Sequence, residues 1–127
     1  MSIRRMCSSL VLVAFLILTV VAATAAVAKD RHTPTRATKT VKGIVTHWSP
    51  ATVRISTGDT IKWKAVSGTH TVTAYGANWH FNHELAMGQV EDRTFSHAGT
   101  FKFRCTIHST LTNGVCSGMC GKVVVTH

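Results

Sequence analysis

From Gly43 to the C-terminus, the apolar residues of this 127-residue chain come in short runs, and none recurs at helical spacing. Turn-forming residues close each run: Ser49-Pro50, Gly58-Asp59, Ser67-Gly68, Gly76, Gly88, Ala98-Gly99, Asn113-Gly114 and Gly121. Short strands separated at regular intervals by turn signals predict an all-β sandwich or barrel. The chain contains no internal repeat.

Successive side chains of a strand point to opposite faces, so alternation tells inside from outside. Val53 and Ile55 share one face, with Arg54 and Ser56 on the other. Ile61, Trp63 and Ala65 oppose Lys62 and Lys64 in the same way. Phe101, Phe103 and Cys105 oppose Lys102 and Arg104, so the Cys105 thiol is expected on the buried face at a strand end. His70 falls on the face of Val72 and Ala74. Val123 to Val125 suits a closing strand but shows no alternation, and Trp63 reads as core.

The N-terminus bears on compartment. Arg4 and Arg5 precede an apolar run from Leu10 to Val21, and Ala26-Val27-Ala28 has the small-x-small pattern of a signal-peptidase site. Residues 1–28 are therefore expected to be a signal peptide cleaved after Ala28. A retained anchor would need about 20 apolar residues, and this segment's second half is mostly Ala, Thr and Val. Cys7 would leave with the signal. An exported chain meets an oxidising compartment, periplasmic, cell-surface or extracellular, where spare thiols pair unless a metal or burial protects them.

Residues 29–42 contain Val41 as their sole large apolar residue and read as a flexible basic tail ahead of a domain over 43–127. The formal charge is +9, and two of those charges belong to Arg4 and Arg5. Residues 29–42 hold five basic residues against one acidic, and residues 43–127 seven against four. This pattern suggests a tail drawn to an anionic membrane surface or acidic partner. Export argues against nucleic acid as the partner.

Chemistry concentrates near the C-terminus. Cys105 at a strand end, His108 three residues later and Met119 before the last strand can converge on one ion if a second imidazole joins them. His70 is the natural candidate. Two imidazoles and a thiolate with a weak axial thioether suit one copper ion cycling between Cu(I) and Cu(II), and the stretch has no carboxylate for a hard cation. Cys105, His108, Cys116 and Cys120 form an alternative Cys3His zinc set, which leaves His70 unused and needs three reduced thiols outside the cytosol. His80 and His83 could bind a second ion, but read better as surface residues of a loop from Gly76 to Gly88. His97 and His127 read as solvated. There is no Ser-His-Asp arrangement, phosphate loop or carboxylate pair, so a carrier is expected and not an enzyme.

The segments S-P-A-T-V-R-I-S-T-G-D-T-I-K-W, G-T-H-T-V, T-F-S-H-A-G-T-F-K-F-R-C-T-I-H and G-M-C-G-K-V-V-V span about Ser49 to Val125. Here the sequence resembles the cupredoxins, the plastocyanin- and azurin-like blue copper proteins. The resemblance implies a Greek-key sandwich of about seven or eight strands, with His70, Cys105, His108 and Met119 as copper ligands. It further implies a monomeric one-electron carrier between larger redox proteins. A copper storage or delivery protein using the same ligands is the alternative. The chain departs from the family where ten residues separate His108 from Met119, against four or so in plastocyanin-like members. Cys116 and Cys120 bracket Met119, and in an exported protein they read as a disulfide stiffening this longer loop.

Overall fold

A computed structural model of the chain describes residues 33–127. The expected signal peptide, with Cys7, and the first residues of the expected tail lie outside the described residues. Nine strands follow in chain order: β1 (Thr38–Ile44), β2 (His47–Ser49), β3 (Thr52–Ser56), β4 (Thr60–Ser67), β5 (His70–Ala74), β6 (Asn82–Leu85), β7 (Val90–Thr94), β8 (Gly99–Thr112) and β9 (Val115–Thr126). They form two sheets, ordered β2-β1-β4-β7 and β3-β9-β8-β5-β6. The all-β sandwich follows from the alternation. Val53, Ile55, Ile61, Trp63, Ala65, Phe103 and Cys105 are buried, while Arg54, Lys62, Lys64 and Lys102 point out. In β9, Val123 and Val125 are buried and Val124 half-buried, so the closing strand alternates where its three identical residues could not show it.

The tail is shorter than expected. Residues 38–42 belong to β1, an inner strand that pairs in parallel with β4 over Thr38↔Thr60 to Ile44↔Ser67 and antiparallel with β2. Its β-branched Thr38, Thr40 and Val41 suit a pleated surface. Val41 is fully buried opposite Trp63. The Lys39 ammonium donates to the Arg54 carbonyl at 2.6 Å. Of the basic residues taken for a solvated tail, Lys39 and Lys42 are exposed positions of a strand, so residues 38–127 hold nine basic residues against four acidic.

Trp63 lies at the centre of the core. Phe103 meets it edge-on at 5.4 Å between ring centroids, and Phe81, Trp79 and Phe95 lie within 6.5 Å. Such aromatic packing fixes geometry as well as burying area. Part of the expected loop over 76–88 is the strand β6, pairing with β5 from His70↔Leu85 to Thr73↔Asn82. Trp79, ahead of β6, and Leu85, at its end, are both buried in the core.

Candidate metal centre

The ladder between β8 and β9 is regular from Gly99↔Val125 to Arg104↔Cys120, and again from Ser109↔Gly118 to Thr112↔Val115. Between these stretches, Cys105 to His108 stand opposite Met119 alone. An irregularity of this kind bends a strand and re-aims its side chains. Cys105 and His108, at the two ends of the bulge, turn toward each other, with Sγ and Nδ1 3.4 Å apart. The bulge is braced by hydrogen bonds. The Ser109 hydroxyl donates to the Cys105 carbonyl at 2.5 Å, and the Arg104 guanidinium donates to the Ser109 carbonyl at 3.3 Å. On the partner strand, Gly118 has φ +96°, and a Cβ there would meet the His108 carbonyl oxygen at 2.5 Å. Only glycine permits both that conformation and that approach.

His70 opens β5 beside the bulge and is fully buried. Its Nε2 lies 2.7 Å from the Ser67 carbonyl, which can only accept, so Nε2 carries the proton and Nδ1 keeps its lone pair. That Nδ1 faces the Cys105 sulfur at 3.9 Å. Burial pushes the His70 pKa below its ordinary value. The bond to Ser67 acts in the opposite sense, and the nearby His108 adds a smaller lowering. The neutral imidazole is the form that can ligate a metal.

The Cys105 sulfur, also fully buried, accepts a hydrogen bond from the Thr71 backbone N–H at 3.3 Å. The Thr71 hydroxyl accepts from the Thr106 N–H at 2.8 Å and pairs with the Thr106 hydroxyl at 2.9 Å, fastening β5 to the bulge. The ring of His70 has Trp48 on one side, centroids 5.7 Å apart. Gly43 closes in on the same ring, where a Cβ would lie 2.7 Å from His70 Cδ2. Neither neighbour was visible in the sequence, because the turn from β1 to β2 brings them here.

The nitrogen and sulfur donors of His70, Cys105 and His108 all lie within 4.8 Å of one another. Among the described residues, they form the one group of three or more His, Cys, Asp or Glu donors with this spacing. Met119 is fully buried near His70. His108 is half-buried and gives the site its edge toward solvent. Its neighbours there include Val45 and Ile107, both more than half exposed. The Cys3His zinc set is not available, because Cys116 and Cys120 form the expected disulfide and leave Cys105 as the free thiol among the described residues. His80 and His83 stand apart from the site, with His83 Nδ1 3.5 Å from Glu91 Oε1. His97 and His127 are exposed.

Two imidazoles and a thiolate without a carboxylate are the donors of a soft or borderline ion. No family model matches the sequence. The structure is similar to that of a reduced amicyanin variant, at 25% identity and TM-score 0.56, over 68% of this chain and 80% of that one. It is similar also to a purple cupredoxin from Nitrosopumilus maritimus, at 20% identity and TM-score 0.54, over 68% of this chain and 98% of that one. A third likeness is to the copper-containing nitrite reductase of Thermus scotoductus SA-01, at 19% identity and TM-score 0.58, over 69% of this chain and 22% of that one. The chain has the cupredoxin fold, and its His-Cys-His group fits a type 1 copper site.

Proposed function

We propose that this chain is an exported type 1 copper protein that carries single electrons between larger redox proteins. The convergence of His70, Cys105 and His108 on one bulge of this fold supports that reading most directly. Cys105 would supply the thiolate, His70 and His108 the imidazoles, and Met119 a weaker thioether donor. The bound copper would supply a one-electron Cu(I)/Cu(II) couple.

The chain's own residues do the rest. The Thr71 N–H and the bulge fix the Cys105 sulfur, and the Ser67 carbonyl fixes the His70 tautomer. These are outer hydrogen bonds of the kind that orient metal ligands and tune a site. The aromatic core behind them would hold the donor positions nearly fixed whichever oxidation state is bound. His108, half-buried beside the exposed Val45 and Ile107, would be the side chain of the group that a docked partner approaches. Burial of Cys105 and Met119 favours a carrier over a delivery protein, since an incoming acceptor protein would meet His108 alone. Residues 1–28 are read as the export signal, and the disulfide suits an oxidising compartment.

Adding Cu(II) to the purified mature protein tests this reading. An intense visible thiolate-to-copper band should appear at one copper per chain, and Cys105→Ser should abolish it. A colourless complex, or a Cys105→Ser variant that binds copper as tightly as the wild type, would overturn the proposal.

A further inference from the structure

In an extended strand, residues four apart in sequence lie about 13 Å apart. Cys116 and Cys120 both belong to β9, yet their Cα atoms are 6.1 Å apart and a disulfide joins them. The chain between them must arch, and it does so at Gly118, the residue with positive φ. Met119 follows and points inward. It is fully buried, whereas the other residues from Val115 to Cys120 are exposed or half-buried. The ladder gives Met119 no partner of its own, because the bulge from Cys105 to His108 occupies the opposite strand.

The two cysteines belong to different parts of the molecule. Cys120 pairs with Arg104 inside the sandwich sheet, while Cys116 pairs with Leu111 in the outer hairpin beyond the bulge. That hairpin lacks a core, since Leu111 and Val115 are 40% and 69% exposed. A two-stranded hairpin is marginal by itself in water. The disulfide ties this hairpin to the sheet across the gap in the ladder where Met119 sits. The geometry points to the Cys116–Cys120 disulfide as the device that positions the Met119 thioether against the His70–Cys105–His108 group. This inference rests on reading Met119 as the axial ligand.

The test uses the mature protein and the variant Cys116→Ser/Cys120→Ser. In the copper-free protein, hydrogen peroxide reports thioether access, and Met87, 69% exposed, is the internal standard. Wild-type Met119 should oxidise at least about tenfold more slowly than Met87, and in the variant the two rates should come within about threefold. With copper, the variant should change the ratio of the charge-transfer bands and move the midpoint potential in the same direction as Met119→Leu. Adding Met119→Leu to it should cause no further change.

Should the serine pair fail to fold, the folded wild type can be opened with a water-soluble phosphine. The disulfide becomes two thiols, the phosphine becomes its oxide, and water supplies the oxygen and both protons; alkylation then keeps the thiols apart. Unchanged Met119 protection and an unchanged copper spectrum in the opened protein would overturn the positioning role. A Met119→Leu variant indistinguishable from wild type in spectrum and potential would instead overturn the axial reading, and the copper half of this inference with it.

Discussion

Gly43 occupies a position where one methyl group decides whether the His70 ring keeps its place. A Cβ at residue 43 would lie 2.7 Å from His70 Cδ2 and 3.0 Å from the Trp48 ring. Gly43→Ala should therefore displace the imidazole or spread β1 from it, costing about 1–3 kcal/mol of apo-protein stability by urea unfolding. The same variant should weaken the thiolate-to-copper band. Equal stability and an equal spectrum would show that the ring tolerates the intrusion. At this scale the sequence was informative about the proposed ligands and silent about their supports. His70 and Cys105 could be placed inward because strand alternation is local. The Ser67 carbonyl, the Thr71 N–H and Gly43 act through backbone or through a missing side chain, so they leave no signature in residue type.

Asp59, in the turn between β3 and β4, joins strands that the sequence does not link. Its carboxylate accepts from the Ala37 N–H at 2.7 Å and the Ser56 N–H at 2.9 Å. These two bonds hold its pKa below the ordinary 3.8, against the opposing effect of burial, with a smaller contribution from Lys39. A carboxyl with a depressed folded pKa contributes stability that is present above the unfolded value and lost as pH falls through the folded one. Wild-type stability should therefore fall more steeply below about pH 4 than that of Asp59→Asn, as read by thermal unfolding across pH. Parallel profiles would remove Asp59 from the account. The element scale also shows why β1 was taken for tail. Thr-rich, Lys-rich sequence with one Val resembles linker until a buried neighbour, here Trp63, gives Val41 somewhere to go. The ten residues between His108 and Met119 were read as loop, and they extend β8 and β9 around a two-residue turn. Asn113 and Gly114 both have positive φ there, as an Asn-Gly hairpin requires.

For the molecule as a whole, the inner position of β1 sets where the chain can be cut. A chain starting at Thr33 keeps every strand of the described residues, and it should unfold in one cooperative transition by circular dichroism. A chain starting at Gly43 loses most of β1, the strand that joins β2 to β4, and that transition should be absent at room temperature. If the shorter chain melted at the same temperature, β1 would be dispensable. The all-β class was legible because alternation and turn chemistry recur along the whole domain. The pairing of strands was not, since β1 with β4 and β3 with β9 are parallel partners that no hairpin turn announces.

The pairing of β3 with β9 has a consequence in time. Thr52 meets Lys122 and Ser56 meets Thr126, so β3 waits for a strand made about 70 residues later. β9 lies between β3 and β8, and without it their sheet is divided. Pairings so distant in sequence close on the order of milliseconds to seconds. On the copper reading proposed above, a chain whose β9 has not yet docked would offer copper scattered donors and no cage. Metal capture would then follow the docking of β9.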